Sequence, residues 1–433
     1  MNAAVDDVVA RARAAQPAWS AMSIDDRAAV LRRARKRLLN DADRFVDVMV
    51  DELGKLPAEA RLLDVAPSAA ALSWAANAGP KALSSSTITT LGSPLRTATS
   101  TWKPRGVCAV LSPWNYPLAI PLGSIAAALV GGNSVVWKPS EHASRTSSLL
   151  RDVLVAAGVP VDVIGLCVGA GDVGRSVIDA DVDHVTFVGS TAVGRTIAAR
   201  CGERLIPSII ELGGKAPAIV VDGADLERTA NAIVFGGFAN AGQSCVAVER
   251  VYVVDHLFDA LFARVTTLAA QTPLARAVLG DKGLPRVVDV TNEPDSPLLR
   301  DEVFGPCLPF VRVSSSSQAV RLANAHRLQL AAYVFGDKQH ARAVASQLRA
   351  PQVAIDDAMI HYALPELPFG GVGDSGFGRV HGDDGLRALC VQQIVVEPRI
   401  RPAREAWWQP YPGHRTVLRV VDRALDVVDR LRR

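Results

Sequence analysis

One cysteine lies in a short polar loop, in the sequence "NAGQSC" at residues 240–245, directly after an apolar stretch. Gly242 permits unusual backbone angles beside Cys245. Free backbone N–H groups in such a loop would lower the pKa of the Cys245 thiol and make it nucleophilic. Taken alone, a single cysteine is more often a small buried hydrophobic residue. The loop therefore predicts a nucleophile that needs support from residues elsewhere.

Two further stretches carry groups that would assist a thiol nucleophile. In "ELGGK", the carboxylate of Glu211 would serve as a general base, although the glycine pair after it fits a hinge between domains equally well. In "PWNYP", two prolines restrict the backbone around Asn115. A carboxamide held in this way is a good donor to a developing oxyanion, and the alternative is an ordinary structural turn.

Two strand ends predict contacts to a dinucleotide. "FVGSTAVGR" runs from an apolar strand into Gly189 and Ser190, with Gly194 inside the next helix, so that backbone could approach an anion there. "WKPSE" places Lys138 and Glu141 after another apolar strand, where ligands of doubly wound sheets bind, and the pair could bind ribose hydroxyls. Read separately, the first stretch also fits an ordinary βα turn and the second a surface loop.

The combination is more informative than its parts. An activated thiol, a carboxylate base, a held amide donor and a cofactor-type turn are the groups needed to oxidise an aldehyde through a thioester. All of them lie between residues 113 and 245.

The elements that must position these groups follow from the pattern of apolar residues. Residues 1–80 are predicted to be helical, with Ser23 as the N-cap of the helix that begins "SIDDRAAVL". Near residue 85 the chain becomes rich in Thr, Ser and Val, and beyond residue 118 short β-branched runs alternate with helical segments. This alternation is typical of parallel βαβ units, so the fold class is predicted to be α/β.

The bulk composition limits the class of protein. Of the 433 residues, 49% are hydrophobic and 21% are charged, which is typical of a globular protein, and the net charge of +3 does not indicate nucleic-acid binding. The N-terminus lacks the apolar region of a secretory signal. The six cysteines are scattered without a CxxC pair, so we expect no metal site and predict a cytoplasmic location.

The chain resembles the NAD(P)-dependent aldehyde dehydrogenase superfamily, from its N-terminal helices to about residue 397. Glu211 and Cys245 are 34 residues apart, as in the family pattern. The short N-terminus and "PWNYP" are most similar to the class-3 and coniferyl-aldehyde branch. The matching stretches appear in family order: "SPWNYP", "GNSVVWKPSE", "FVGSTAVGR", "ELGGKAPAIV", "FANAGQSCVAVER", "DEVFGP" and "LPFGGVGDSGFGR".

The resemblance implies a role for each matching residue. Cys245 would attack the aldehyde carbon, Asn115 and the Cys245 N–H would hold the oxyanion, and Glu211 would activate the water that hydrolyses the thioester. The presence of Glu211 implies a hydrolytic rather than a CoA-acylating enzyme. The carboxylate of Glu141 favours NAD because it repels a 2′-phosphate, and use of NADP stays open. The residues matching cofactor contacts are Lys138, Glu141, Gly189, Ser190, Gly194, Glu302 and Phe304.

The resemblance also implies a three-part fold. A Rossmann-type cofactor domain would cover residues 1–91 and 112–210, and an α/β catalytic domain residues 211–390. A protruding β-arm, formed by residues 92–111 and 391–400, would add strands to a partner's sheet. We therefore expect a homodimer or a tetramer built from dimers.

The catalytic domain departs from the family pattern. Only 57 residues separate Cys245 from Glu302, where the family has several tens more, and the missing part falls near residues 272–285. The shortening could widen the substrate entrance, which would suit a bulky, aromatic or long-chain aldehyde. The alternative is an impaired enzyme that keeps its dinucleotide site and serves in binding or assembly.

The C-terminal tail, residues 401–433, also departs from the pattern. It ends in a basic amphipathic helix whose positive charge is partly offset by Asp422, Asp426 and Asp429. We expect its apolar stripe to pack on the body of the protein or on a partner subunit, and peripheral membrane contact is the less favoured alternative. The stripe consists of Leu418, Val421, Leu425, Val428 and Leu431.

Overall fold

The computed structural model describes residues 2–89, 96–276, 278, 286–405, 408–409 and 413–431. Its helices are α1 (Ala3–Ala21), α2 (Ile24–Asn40), α3 (Ala42–Leu53), α4 (Pro57–Glu59), α5 (Ala66–Asn77), α6 (Gly79–Ala82), α7 (Ala119–Val130), α8 (Ser144–Ala156), α9 (Gly171–Asp179), α10 (Thr191–Glu203), α11 (Leu226–Phe238), α12 (Asp255–Gln271), α13 (Pro297–Arg300), α14 (Ser316–Ala325), α15 (Lys338–Ala345), α16 (Gly382–Ala388) and α17 (His414–Leu431). A π-helix spans Ala60–Val65, and 3-10 turns span Glu141–Ala143, Ala239–Gly242 and Ile360–Ala363.

The strands are β1 (Ser86–Ile88), β2 (Arg96–Pro104), β3 (Val107–Ser112), β4 (Ser134–Pro139), β5 (Ile164–Leu166), β6 (His184–Val188), β7 (Ser208–Glu211), β8 (Ala216–Val220), β9 (Val248–Val254), β10 (Val287–Asp289), β11 (Leu308–Val313), β12 (Leu328–Gln329), β13 (Ala331–Phe335), β14 (Gln352–Ile355), β15 (Val372–Gly373), β16 (Gly376–Phe377) and β17 (Cys390–Pro398).

The N-terminal region is helical, which confirms the prediction from apolar spacing. Ser23 caps α2 as expected, since its hydroxyl accepts a hydrogen bond from the N–H of Asp26 at 3.1 Å and donates to the Asp26 carboxylate at 2.7 Å. The apolar side of α2 packs against α5 and α7 in one core.

The first large sheet is parallel and covered on both faces. Its strands follow the order β7, β6, β3, β4, β5, and β16 adds an antiparallel edge strand beside β7. Cys108 and Val110 of β3 pack with α2 and α7, whereas Ala109 and Leu111 pack with α1, α9 and α10. Because helices cover both faces of the sheet, β3 and β4 are buried at every position, and the predicted α/β class is confirmed.

The second large sheet contains β10, β11, β9, β8, β13 and β14, all parallel. Val251 and Val253 of β9 pack with α11 and α12, and Tyr252 and Val254 pack with α14 and α15. The chain passes from the first sheet to the second through the short segment between β7 and β8. This crossing places the end of β7 beside the loop before β9.

A smaller antiparallel sheet consists of β1, β2 and β17. β2 pairs with β17 from Arg96 opposite Pro398 to Pro104 opposite Cys390. The expected arm boundary at residue 111 is wrong, because β3 begins at Val107 and lies in the parallel sheet. Gly106, with φ of 132°, separates the two strands. Residues 92–95 of the expected arm lie outside the described residues.

The shortened segment joins α12 to β10, and residues 277 and 279–285 lie outside the described part. Its described portion crosses to the N-terminal helices. The N–H of Arg276 donates to the carbonyl of Gly54 at 2.9 Å, and the Arg276 guanidinium donates to the carbonyl of Glu52 at 3.0 Å. The N–H of Val278 donates to Oε1 of Gln243 at 2.8 Å, so this segment supports the cysteine loop.

The predicted tail helix is α17. Leu418, Val421 and Leu425 are exposed, so these three side chains do not pack on the body of the protein, and their packing on a partner subunit stays a prediction. The side chains of Val428 and Leu431 lie outside the described residues. Among the helices that the structure describes, none combines the length and the apolar character needed to cross a bilayer.

Candidate active site

The loop that carries Cys245 is a strained turn between α11 and β9. Asn240, Ala241 and Gly242 have φ angles of 53°, 55° and 71° in succession. Left-handed backbone costs a residue with a Cβ about 1–2 kcal/mol, and asparagine and glycine adopt it most readily. At Gly242 a Cβ would also lie 2.3 Å from the carbonyl oxygen of Gly305. The glycine is therefore required both by conformation and by space.

Cys245 lines two cavities. The first is also lined by Asn115, Gly189, Glu302 and Phe304, among others. The second is lined almost entirely by apolar side chains from distant parts of the chain. The side chain of Cys245 is half-buried. A thiol at this position can meet one molecule from each cavity.

The electrostatics at Cys245 differ from the expectation of a lowered pKa. Burial raises the pKa of the thiol to about 12, and the negative charges of Glu302 and Glu211 raise it further. The N–H groups of Cys245 and Val246 oppose this effect but do not overcome it. The expectation was wrong because it counted the loop N–H groups and omitted two carboxylates that only the tertiary fold brings close.

Asn115 is buried against the cysteine loop. Its Nδ2 donates to the carbonyl of Gln243 at 3.1 Å, and its own carbonyl accepts a hydrogen bond from Nδ2 of Asn240 at 3.0 Å. These two bonds attach Asn115 to the cysteine loop. Gln243, which accepts one of them, lies two residues before Cys245. Asn115 lines the cavity that it shares with Cys245, and its buried Oδ1 has no hydrogen-bond partner among the described residues.

Glu211 ends β7 and is almost fully buried. One carboxylate oxygen accepts a hydrogen bond from the N–H of Gly371 at 3.3 Å, whereas Oε1 has no hydrogen-bond partner among the described residues. Burial raises the pKa of Glu211 well above its ordinary value, and the bond from Gly371 and the charge of Arg379 only partly oppose this. At Gly370 a Cβ would lie 2.4 Å from Oε1. The carboxyl group is therefore confined and basic.

The glycine pair after Glu211 is explained by close packing. At Gly213 a Cβ would lie 2.3 Å from Oε2 of Glu302, and at Gly214 a Cβ would lie 2.0 Å from the carbonyl oxygen of Cys245. The N–H of Gly214 donates to Oε1 of Glu302 at 3.0 Å. The backbone contact requires glycine at position 214, whereas a side chain at position 213 would displace the Glu302 carboxylate.

Phe304 and its neighbours are held by a buried ion pair that the sequence analysis missed. Glu249 accepts hydrogen bonds from the N–H groups of Val303 at 2.8 Å and Phe304 at 2.9 Å. The same carboxylate contacts Nζ of Lys215 at 2.7 Å, and both side chains are buried. Phe304 adopts φ of 48° and packs edge-on against Trp114, with ring centroids 5.9 Å apart. The loop is thereby fixed against the first cavity.

The other predicted cofactor residues lie along the carboxyl edge of the first sheet. Nζ of Lys138 lies 3.6 Å from Oε2 of Glu141, and Lys138 lines a further cavity between α9 and α10. Hydrogen bonding to its own N–H, aided by Lys138, lowers the pKa of Glu141, so it is ionised at neutral pH. Gly171 leaves this cavity open, since a Cβ there would meet nothing within 4 Å. Arg175 also lines it.

The start of α10 separates this cavity from the one beside Cys245. Gly189 and Ser190 line the latter, and the Ser190 hydroxyl caps α10 by accepting from the N–H of Val193 at 3.4 Å. Gly194 lines neither cavity, and a Cβ there would lie 2.2 Å from Cδ2 of Leu212. The Lys138–Glu141 pair, a helix start and an open cavity together fit a dinucleotide lying along this edge.

The apolar cavity at Cys245 comes from regions that no motif identified. Leu62 and Leu63 belong to the π-helix, Tyr362 belongs to the 3-10 turn before β15, and Met359 directly precedes that turn. Tyr362 packs edge-on against Phe369, with ring centroids 5.0 Å apart. Hydrophobic residues in these segments gave no sequence signal, because they resemble ordinary core positions.

A buried cation supports the same region. Nζ of Lys55 lies 2.9 Å from Oδ2 of Asp64, 3.0 Å from Oδ1 of Asn240 and 4.6 Å from the centre of the Tyr116 ring. Oδ1 of Asp64 accepts hydrogen bonds from the N–H groups of Leu118 and Ala119, where α7 begins. The pair therefore ties the cysteine loop to the start of α7. The sequence offered no signal for it beyond two charged residues near helix ends.

Comparison with known proteins points to one family. The family model described as Aldehyde dehydrogenase family matches residues 1–282 and 284–395. The chain is 31% identical to a 4,4'-diapolycopene aldehyde oxidase from Methylomonas sp, over 94% of this chain and 84% of that protein. It is 33% identical to a protein named probable coniferyl aldehyde dehydrogenase from Pseudomonas aeruginosa, over 70% of this chain and 71% of that protein. A crystal structure of an NAD-dependent aldehyde dehydrogenase from Sinorhizobium meliloti superposes with a TM-score of 0.87 at 29% identity, covering 94% of this chain and 89% of that one.

Proposed function

The chain belongs to the aldehyde dehydrogenase family, and from this premise we propose that it oxidises an aldehyde to a carboxylic acid with NAD(P)+. The observation that carries the proposal is the position of Cys245, in the wall shared by an apolar cavity and a cavity that contains the cofactor-type residues. The names of the two relatives, which refer to 4,4'-diapolycopene aldehyde and coniferyl aldehyde, support an aldehyde as the substrate.

In the first half of the reaction, the sulfur of Cys245 bonds to the aldehyde carbon to form a thiohemiacetal. The negative charge that develops on the carbonyl oxygen is held by Nδ2 of Asn115 and the N–H of Cys245. A fixed donor of this kind contributes about 100-fold or more to turnover, because it does not reorganise as charge develops. Since burial keeps the thiol protonated at neutral pH, its proton passes to the Glu211 carboxylate as the carbon–sulfur bond forms, and Glu211 releases that proton to solvent before it acts on water.

When bound, NAD(P)+ supplies the acceptor for the hydride that leaves the thiohemiacetal carbon. Glu302 and Phe304 would position the nicotinamide end, because they line the same cavity as Gly189, Ser190 and Cys245. Lys138 and Glu141 would bind the hydroxyls of the adenine ribose. The ionised Glu141 favours NAD, whereas Arg175 supplies a positive charge in the same region that would permit NADP.

In the second half of the reaction, Glu211 acts as the general base. A carboxylate whose pKa is raised by burial accepts a proton from water more readily than an exposed one. Oε1 of Glu211, which has no hydrogen-bond partner among the described residues, is the oxygen available for that proton. The water then cleaves the thioester, the carboxylic acid leaves, and the thiol of Cys245 is restored.

The organisation of the chain is part of the proposal. The first sheet with its helices would form the cofactor domain, and the second sheet the catalytic domain. The outer edge of β17 is exposed and would pair with a second copy, which gives a homodimer or a dimer of dimers. All six cysteines are free thiols, which supports a cytoplasmic location.

The test is NADH formation by the full chain with a panel of aldehydes, run beside Cys245→Ala. We expect the variant to lose turnover by ~10⁴-fold or more while it still binds NAD. Cys390→Ala, a buried cysteine at the start of β17, is the matched control and should retain activity. Absence of turnover in folded wild-type protein that binds NAD would instead support the alternative of a non-catalytic dinucleotide-binding protein.

A further inference from the structure

We propose that the cavity beside Cys245 selects uncharged apolar aldehydes, aromatic or long-chain, and rejects short aldehydes that carry a carboxylate. This inference rests on the proposed function and adds the class of substrate. The cavity is lined by Leu62, Leu63, Pro67, Tyr116, Ile120, Ser244, Cys245, Val246, Met359, Tyr362 and Ala363. None of these residues is charged at neutral pH, and apart from the thiol their only polar side-chain groups are the hydroxyls of two tyrosines and one serine.

The charges behind the wall do not supply a partner for a carboxylate. Lys55 is separated from the cavity by the Tyr116 ring, and Asp64 already neutralises it. Nζ of Lys55 lies 2.9 Å from Oδ2 of Asp64, so the two charges behind this wall compensate each other. Arg61, next to the lining leucines, pairs with Asp43 at the surface. A substrate carboxylate would therefore find no cationic partner among the residues that line this cavity.

The length of the substrate decides where its charge would lie. In succinic semialdehyde only two carbons separate the aldehyde from the carboxylate, so when the aldehyde reaches Cys245 the carboxylate must stay inside the apolar cavity. A buried charge without a partner costs enough to reduce binding of the transition state by ~100-fold or more. An alkyl chain or an aromatic ring gains instead from contact with the same walls.

The rim of the cavity extends the apolar surface outward. Leu62 lines the cavity and is 64% exposed, and Ile360 in the adjoining 3-10 turn is also exposed. Tyr116 and Tyr362 present aromatic rings deeper in the lining. A long chain would lie along the rim after filling the interior, whereas a short aromatic aldehyde would pack between the rings.

The first experiment compares specificity constants for decanal, benzaldehyde and succinic semialdehyde. We expect decanal or benzaldehyde to exceed succinic semialdehyde by ~100-fold or more. Leu62→Arg places a cation at the exposed rim, where the fold tolerates it. The ratio of the specificity constant for decanal or benzaldehyde to that for succinic semialdehyde should then fall by about 10-fold. Leu205→Arg adds the same charge at an exposed position in the turn between α10 and β7 and should leave the ratio unchanged. Equal or better use of succinic semialdehyde by the wild type would overturn the proposal.

A second experiment needs no turnover. Alkylation of Cys245 by iodoacetamide is followed by mass spectrometry with NAD+ present, beside either decanamide or succinamate as an unreactive analogue. We expect decanamide to slow the alkylation and succinamate to have no effect. If decanamide protects Cys245 but no aldehyde is turned over, the cavity assignment is supported and the proposed function is refuted. Protection by succinamate alone would refute the cavity assignment, whatever the turnover.

Discussion

Lys55→Met removes an ammonium group that contacts three partners inside the protein. Its Nζ lies 2.9 Å from the carboxylate of Asp64 and 3.0 Å from Oδ1 of Asn240, and it stands over the ring of Tyr116. Lys55 and Asp64 are both buried. Methionine has a similar length and no charge, so the substitution leaves the Asp64 carboxylate without its counter-ion.

The expected cost follows from the contacts that remain. Removing one partner of a buried ion pair costs ~3–5 kcal/mol of the free energy of unfolding. Asp64 keeps two hydrogen bonds, from the N–H groups of Leu118 and Ala119, which puts the loss for Lys55→Met near ~3 kcal/mol. In Lys55→Met/Asp64→Asn no charge is left unpaired, so the double variant should be ~2 kcal/mol more stable than the sum of the single losses predicts.

Urea unfolding of the wild type, the two single variants and the double variant measures this cycle. Arg61→Met is the matched control, because Arg61 pairs with Asp43 at the surface and its loss should cost less than ~1 kcal/mol. Turnover of the folded Lys55→Met protein should also fall. Asn240 loses its hydrogen bond from Lys55, and Asn240 is the residue that donates a hydrogen bond to the carbonyl of Asn115. Strictly additive losses, or a Lys55→Met variant as stable as the wild type, would refute the reasoning.

Three further predictions concern the base and the cofactor. Gly370→Ala places a Cβ 2.4 Å from Oε1 of Glu211, so steady-state turnover should fall by ~100-fold while the first burst of NADH remains. Gly202→Ala is the control, because a Cβ there meets nothing within 4 Å. Loss of the NADH burst in Gly370→Ala would contradict the assignment of Glu211 to the hydrolytic step. Because burial raises the pKa of Glu211, the free energy of unfolding should decline as pH rises from the unfolded pKa of about 4.3 through the raised folded pKa. Glu211→Gln should abolish this decline in unfolding experiments across pH, and an identical profile for the variant would contradict it. Glu141→Gln removes the carboxylate that repels a 2′-phosphate, so the KM for NADP+ should fall about 10-fold relative to that for NAD+. If the ratio of the KM for NADP+ to the KM for NAD+ does not change, Glu141 is not the residue that discriminates between the two cofactors.

Local patterns predicted the parallel sheets and the loops that bear the candidate groups. Strands β3 and β4 are mostly apolar and are buried at every position because both faces are covered, and Gly242 has the left-handed backbone that its loop suggested. These features depend on neighbours in sequence, which a single chain reveals.

Contacts between distant segments could not be predicted in the same way. The pairs Lys55–Asp64 and Lys215–Glu249 are ordinary charged residues in the sequence, and only folding buries them together. The raised pKa of Cys245 has the same origin, since Glu302 is brought close by the tertiary fold. Strand β2 ends at Pro104 and the strand after it belongs to another sheet, although both stretches have the same β-rich composition.

The most direct test of the central claim is to trap the acyl group on Cys245. The Glu211→Gln variant is incubated with NAD+ and benzaldehyde, quenched in acid and digested with a protease. The masses of the peptides are then measured by mass spectrometry. The account predicts a benzoyl mass on the peptide containing Cys245, with one NADH formed per active site and little further turnover. The absence of any adduct on Cys245, with NADH still formed at the wild-type rate, would contradict it.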